Sequence, residues 1–256
     1  AVAEAALFGT AHVAASTQAG GFGRVPAPRE IALSASPAYV HITTNETIHG
    51  VQWPAIPDFG DAPLVADMSS DILARAVNAE QFALIYGGAQ KNLGPAGVTV
   101  VLLREELLAR SPKTIPTTLR YDVYAKNNSL YNTPPVFAIY LLDLVLRWIK
   151  AEGGAPGIER RNRRKASALY AAIDASGGFY TGHADTGSRS LMNVTFRLPT
   201  PDLEARFAKQ AEGSGMIGLK GHRAVGGIRA SLYNAMDEAG ATALAQFMAE
   251  FARGNG

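Results

Sequence analysis

The segment Leu84–Leu103, LIYGGAQKNLGPAGVTVVLL, places a single lysine between two apolar runs with the character of β-strands. Small and apolar residues flank Lys91 on both sides, although a lysine normally lies in water because an unpaired buried ammonium group is unfavourable. Lys91 is therefore either an ordinary loop lysine or an amine whose lowered pKa makes it a nucleophile. A Walker A phosphate loop does not fit, because Lys91 follows Gln90 and precedes Asn92.

Four segments of the first half share a short apolar run that ends in polar residues: AYVHITTNE (38–46), APLVADMSSD (62–71), FALIYGGAQK (82–91) and AGVTVVLLREEL (96–107). Such strands predict an α/β fold whose sheet is mainly parallel and buried on both faces. Ligands of α/β sheets gather at the carboxyl ends of the strands. The predicted strand ends place three polar residues at that edge: Thr47, Asp67 and Lys91.

The segment YNTPPVFAIYLLDLVLRWIK (131–150) predicts a long helix. Thr133 can cap it, and Pro134 and Pro135 fall where a missing N–H has little effect. The segment is apolar nearly all round, so we expect the helix to be largely buried.

The glycine-rich stretch AEGGAPG (151–157) interrupts the pattern and predicts a domain boundary, with a larger domain at 1–152 and a smaller α+β domain at 153–256. The elements predicted for the smaller domain are a helix with Ile158, Leu169 and Ile173 on one face, strands at 190–198, 216–221 and 228–233, a helix capped by Thr200, and a last helix at 237–252.

The composition excludes several classes of function. The chain has 256 residues, a formal charge of +2 and no cysteine, which argues against nucleic acid as a partner and excludes disulfides, thiolate zinc sites and a catalytic thiol. No apolar run is long enough to span a bilayer, and the histidines lack the spacing of metal ligands. The start, AVAEAALFGTAHVAAS, lacks both a starting Met and a charged signal-peptide region, so we expect it to be the middle of a domain.

Asp67 has two interpretations. A carboxylate at a buried strand end needs a partner, and the protonated ring nitrogen of pyridoxal phosphate would supply one. Alternatively, Asp before Ser69 and Ser70 is a common turn sequence. The position of Lys91 one strand later favours the cofactor interpretation.

A cluster of cationic side chains lies in the segment GHRAVGGIR (221–229). His222, Arg223 and Arg229 suit a ligand with two anionic groups, because arginine binds a carboxylate or a phosphate through two parallel hydrogen bonds. The alternative, a solvated turn, is equally compatible with the spacing alone.

Five segments, TNETIHGVQ, PDFGDAPLVADMSSDIL, YGGAQKNLGPAGVTVVLLREELL, LYNTPPVFAIYLLDLVLRWIKAEGG and GLKGHRAVGGIRASLYNAM, resemble the phosphoserine aminotransferase family in order and spacing. These are class V, fold-type I enzymes dependent on pyridoxal 5'-phosphate. The resemblance implies a partial large domain with a mainly parallel sheet, a small α+β domain and a cytoplasmic homodimer with shared active sites. It also implies amino transfer between O-phospho-L-serine and 2-oxoglutarate, giving 3-phosphohydroxypyruvate and L-glutamate, in serine biosynthesis.

The resemblance assigns the cofactor site residue by residue. The lysine of GAQKN, which bonds covalently to the cofactor in that family, matches Lys91. The aspartate of ADMSS, which pairs with the pyridine nitrogen, matches Asp67. The threonine of NETI and the glutamine before the lysine, which contact the cofactor and its phosphate, match Thr47 and Gln90.

The remaining matches concern the partner subunit and the substrate. Asn132 and Thr133 match the NTPP segment that reaches the cofactor phosphate of the other subunit. His222 and Arg223 match the substrate-phosphate site, and Arg229 matches the arginine that binds the α-carboxylate.

Two features of the family pattern are missing from this sequence. The family's glycine-rich phosphate loop and the aromatic ring that stacks on the cofactor have no clear counterpart, although Phe8 is a candidate for the ring. We therefore expect an N-terminally truncated chain. The alternatives are another fold-type I aminotransferase that uses a different amino donor, and an inactive fragment.

Overall fold

A computed structural model describes all residues from Ala1 to Gly256, which form nine β-strands and seven α-helices. The strands are β1 Val40–Thr43, β2 Asn45–Glu46, β3 Val51–Gln52, β4 Leu64–Asp67, β5 Leu84–Gly88, β6 Thr99–Leu103, β7 Thr181–Gly182, β8 Asn193–Arg197 and β9 Ile228–Ser231. The helices are α1 Val2–Ala5, α2 Glu106–Ala109, α3 Tyr121–Lys126, α4 Val136–Ala151, α5 Gly154–Asp174, α6 Pro201–Gly213 and α7 Glu238–Asn255.

The main sheet has four strands in the order β1-β4-β5-β6. Strands β1, β4 and β5 are parallel, and β6 runs antiparallel to β5. The register pairs Asp67 with Thr43 on one side and with Tyr86 on the other. The predicted α/β fold with a mainly parallel sheet is thus confirmed, and the carboxyl ends of three strands meet at one edge.

The main sheet buries one face more deeply than the other. Residues such as Ile42, Ala66 and Ile85 belong to a cluster of 12 buried apolar residues. The alternate positions, including Asp67 and Tyr86, are only partly buried. The prediction of a sheet buried on both faces is therefore wrong, since the second face, which carries Asp67 and Tyr86 beside apolar residues such as Val65, stays partly accessible.

Helix α4 departs from its prediction in two ways. Pro135 occupies the N-cap position and no side chain caps the helix, so the capping role predicted for Thr133 is wrong. A residue before proline is pushed towards extended backbone, which keeps Thr133 outside the helix. Ile149 is the one buried residue of α4, whereas Phe137 is 72% exposed. The predicted burial of α4 is wrong, because the rest of the chain packs against only a narrow stripe of this apolar helix.

The second half surrounds a cluster of 17 buried apolar residues with α5, α6, α7 and the antiparallel sheet β7-β8-β9. Ile158, Leu169 and Ile173 are buried on α5, as predicted. Thr200 caps α6 by accepting the backbone N–H of Leu203 at 3.2 Å, which also confirms its prediction.

The strand predicted at 216–221 is wrong, and three short strands were not predicted. The segment 216–221 is not a strand, because only an isolated bridge joins Lys220 to Ile228, and Gly218 adopts φ +76. The hairpin β2-β3 and the strand β7 are two-residue strands, which are too short to leave an alternating pattern in the sequence. None of the seven helices combines the length and the apolar composition needed to cross a bilayer.

Candidate active site

Lys91 lies in a tight turn directly after β5. The backbone N–H of Leu93 donates to the carbonyl of Ala89 at 2.9 Å, and the N–H of Ala89 donates to the carbonyl of Val98 at 2.9 Å. Ala89 and Leu93 are buried, while the Lys91 side chain is partly buried. The apolar residues around Lys91 therefore anchor the turn, and the amine projects from a fixed backbone.

Burial is the largest influence on the Lys91 amine and lowers its pKa. The charge of Asp67 opposes this shift, the nearby Arg229 guanidinium adds to it, and Glu46 and Asp71 oppose it weakly. The net effect is a larger uncharged fraction at neutral pH than an ordinary lysine has, which is the form that attacks an aldehyde.

Asp67 ends β4 on the partly accessible face of the sheet. Its Oδ1 accepts the backbone N–H of Ser69 at 2.8 Å, and its backbone carbonyl accepts the Thr44 hydroxyl at 3.2 Å. The Tyr86 phenol lies on the neighbouring strand in register with Asp67 and bonds to Nε2 of His41 at 3.0 Å. Burial and the adjacent Asp67 carboxylate raise the pKa of Tyr86 to about 12. The carboxylate is thus oriented by its neighbours and keeps oxygen lone pairs free for a ligand.

Arg229 on β9 brings the second half of the chain to this group. Its Nη1 donates to the backbone carbonyl of Thr47 at 3.3 Å. Its Nε is buried and has no hydrogen-bond partner. Buried polar groups are nearly always paired, so the unpaired Nε is a donor available to an anionic ligand.

Gln90 and Ser69 complete the edge formed by β4 and β5. The backbone N–H of Gly88 donates to Ser69 Oγ at 3.2 Å. A Cβ at Gly88 would lie 2.6 Å from Oε1 of Gln90, so the missing side chain leaves room for the glutamine amide. Gln90 is exposed and its amide forms no hydrogen bond within the chain.

Four predicted site residues lie outside this group. Asn132 and Thr133 are exposed before α4, where Oδ1 of Asn132 accepts the hydroxyl of Tyr124 at 2.9 Å. His222 forms a hydrogen bond only with its own loop, through the N–H of Ala224 at 3.2 Å.

Arg223 is exposed and forms no hydrogen bond or ion pair. The loop that carries it depends on close backbone approach, because a Cβ on Gly221 would lie 2.0 Å from the carbonyl oxygen of Gly226. Glycine permits such an approach because it has no side chain. Arg223 is exposed to solvent, whereas His222 is partly buried.

The sequence analysis missed a layer of buried polar side chains beneath the site. Asp71 is buried, accepts hydrogen bonds from Thr44 and from Gln52, and has a pKa raised by burial. Asn45 donates to Ser70 Oγ at 2.9 Å. These residues lie within two of the segments quoted above, TNETIHGVQ and PDFGDAPLVADMSSDIL, but no local pattern shows that their side chains are buried and bonded to one another.

The residues present fit pyridoxal phosphate. Lys91 offers a partly desolvated amine for an aldehyde, Asp67 offers a carboxylate for a ring nitrogen, and Arg229 offers an unpaired donor for the carboxylate of an amino acid. Their placement at the carboxyl ends of parallel strands is typical of ligand sites in α/β proteins.

Comparisons with known proteins agree with this chemistry. A family model described as aminotransferase class-V matches residues 3–244. The chain is 56% identical to the phosphoserine aminotransferase of Herpetosiphon aurantiacus, over 99% of this chain and 70% of the relative. It is also 56% identical to that of Niallia circulans, over 100% of this chain and 71% of the relative.

Solved structures give the same result. The phosphoserine aminotransferase from Bacillus circulans subsp. alkalophilus superposes with a TM-score of 0.97 at 56% identity, covering 99% of this chain and 70% of that one. The phosphoserine aminotransferase from Trichomonas vaginalis, solved with bound pyridoxal phosphate, superposes with a TM-score of 0.84 at 38% identity, covering 88% of this chain and 64% of that one.

Proposed function

Because the chain belongs to the phosphoserine aminotransferase family of class V aminotransferases, we propose that it transfers an amino group from O-phospho-L-serine or L-glutamate to the partner oxo acid. The oxo acids are 2-oxoglutarate and 3-phosphohydroxypyruvate, the cofactor is pyridoxal phosphate, and the pathway is serine biosynthesis. The observation that carries the proposal is the convergence of Asp67, Lys91 and Arg229 at one edge of the sheet.

Pyridoxal phosphate, when bound, supplies a protonated aromatic ring that withdraws electrons from the substrate's Cα. Asp67 holds the proton on the ring nitrogen, because a carboxylate stabilises an adjacent pyridinium. The hydrogen bond from Ser69 and the neighbouring Tyr86 phenol support that role by orienting the carboxylate.

Lys91 has two roles. Its uncharged amine binds the cofactor's aldehyde carbon, and the lowered pKa supports this role. With the cofactor bound, the amine of Lys91 would also serve as the base that moves the proton at the substrate Cα. A base with a lowered pKa suits this transfer, because it is uncharged when the proton must be taken up.

Arg229 orients the substrate's α-carboxylate through Nε and Nη1. Two observations support this role: Nε has no hydrogen-bond partner, and Nη1 has only a long bond to the Thr47 carbonyl. Thr47 and Gln90 contact the cofactor in the same proposal. His222 and Arg223 bind the substrate phosphate, for which the exposed, unpaired guanidinium of Arg223 is suited.

The proposal includes a homodimer in which Asn132 and Thr133 complete the cofactor-phosphate site of the other subunit. Both residues are exposed, and they directly precede a helix with exposed apolar side chains, including Phe137 and Tyr140. Contiguous exposed apolar surface is a mark of an interface. A cytoplasmic location belongs to the same proposal and rests on the family resemblance alone.

We also propose the division into a large domain at 1–152 and a small domain at 153–256. Two separate clusters of buried apolar residues support this division. One consists mainly of main-sheet residues and the segments next to them, and the other of residues from the helices α5, α6 and α7 and the strands between them. Ile158, in the first turns of α5, packs with the sheet cluster and joins the two parts.

Comparison of amino donors tests the substrate assignment. We expect kcat/KM for phosphoserine to exceed the values for serine and alanine, because only phosphoserine carries a phosphate for His222 and Arg223. Equal values would favour an aminotransferase with a different donor. A folded chain without turnover of any donor would favour the inactive fragment.

A further inference from the structure

Asn92, the residue after Lys91, is buried, with 4% of its surface exposed. Its amide forms hydrogen bonds at both ends. Oδ1 accepts the backbone N–H of Asn234 at 3.0 Å, and Nδ2 donates to the backbone carbonyl of Ile72 at 3.2 Å. No other side chain between Ala89 and Gly94 hydrogen-bonds to the rest of the chain.

These two bonds join three segments that carry the functional groups. Ile72 lies five residues after Asp67, and Asn234 lies five residues after Arg229. Asn234 also donates from Nδ2 to the carbonyl of Leu73 at 3.3 Å. The Lys91 turn is therefore attached through one amide to the segments that follow the aspartate and the arginine.

We propose that Asn92 is a positioning residue that holds the catalytic amine of Lys91 between Asp67 and Arg229. A buried amide with both ends bonded tolerates little displacement, because each unpaired buried group would be unfavourable. Proton transfer depends on placement at the scale of an ångström. The inference rests on the proposed function, since it assigns Asn92 a role through Lys91.

The ionisation of Lys91 reports its position. The charged groups that face the amine are Asp67 from β4, Arg229 from β9, Glu46 from β2 and the buried Asp71. Burial is the largest influence and lowers the pKa of the amine. If the turn loosens, the amine gains water and its pKa rises towards the ordinary lysine value.

Asn162 on α5 provides a matched control. It is fully buried, and its Nδ2 donates to the carbonyl of Ala74 and to Oδ1 of Asn234, both at 2.9 Å. Asn162→Ala therefore removes two buried hydrogen bonds, one of them to Asn234. It leaves in place the direct bonds of Asn92 to Asn234 and Ile72, which Asn92→Ala removes.

The experiment measures how fast pyridoxal phosphate attaches to Lys91 as a function of pH. Attachment is trapped with borohydride and quantified by peptide mapping, in the wild-type chain, Asn92→Ala and Asn162→Ala. We expect the Asn92→Ala profile to move to higher pH, with the rate at pH 7.5 reduced about tenfold for a rise of one pKa unit. The Asn162→Ala profile should match the wild type while its thermal stability falls as much as that of Asn92→Ala.

An unchanged Asn92→Ala profile, or an equal shift in both variants, overturns the positioning role and leaves the function of Lys91 intact. Absence of attachment to Lys91 in the wild-type chain overturns the proposed function, and the role of Asn92 falls with it. If Asn92→Ala does not fold, Asn92→Ser retains a small polar side chain and undergoes the same comparison.

Discussion

Replacement of Arg229 by alanine should impair both amino donors equally, because phosphoserine and glutamate share the α-carboxylate that this arginine binds. The variant removes the guanidinium, including the unpaired Nε and the Nη1 that bonds to the Thr47 carbonyl. Two hydrogen bonds to a charged group contribute about 3–6 kcal/mol together. That range corresponds to a loss of about 10²- to 10⁴-fold in kcat/KM.

The assay is steady-state kinetics with each amino donor in turn. Part of the loss arises through Lys91, since Arg229 helps to lower the pKa of that amine. Arg229→Lys keeps the positive charge but not the planar guanidinium. The fall in kcat/KM of this variant therefore measures the contribution of paired hydrogen bonds to the carboxylate. Arg163→Ala, at an exposed ion pair with Glu159, is the control and should leave kcat/KM unchanged. A fall for only one donor, or for neither, would refute the reasoning.

Three further predictions concern other parts of the molecule. Arg223→Ala should lower kcat/KM for phosphoserine more than for glutamate, and equal losses would contradict its phosphate role. Phe207 is fully buried against four aromatic rings. Phe207→Ala should therefore lower the free energy of unfolding, measured in urea, by about 3–5 kcal/mol. A loss below about 1 kcal/mol would show that the core repacks around the missing ring. Burial lowers the pKa of Lys165 to about 8 in the folded chain, so the unfolded chain binds the proton more tightly. The free energy of unfolding of the wild type, relative to that of Lys165→Met, should therefore rise from pH 8 to about 10.5. A difference in free energy of unfolding that does not change with pH would contradict the lowered pKa.

The edge that carries Asp67 and Lys91 could be predicted from sequence because its signal is local. Each residue ends a short apolar strand or directly follows one. The carboxyl ends of parallel strands share an edge, so strand order alone brought the two close together. Arg229 was placed by resemblance, since nothing in the local sequence connects β9 to the main sheet.

The errors arose where structure depends on distant residues. The apolar pattern of α4 predicts burial but does not say which surface covers the helix, and this chain leaves Phe137 exposed. Asn92 and Asn234 are 142 residues apart, and single asparagines carry no periodic signal. The buried polar layer beneath the site was therefore outside the reach of sequence patterns.

Covalent attachment of pyridoxal phosphate to Lys91 is the most direct test of the central claim. The visible absorption spectrum of the purified chain with added pyridoxal phosphate is recorded before and after borohydride, and the reduced chain is mapped by peptide mass. The account predicts an absorption band of the bound cofactor, its loss on reduction, and a reduced adduct on Lys91 that is absent from Lys91→Ala. A folded chain without the band, or an adduct spread over surface lysines such as Lys150, would contradict it.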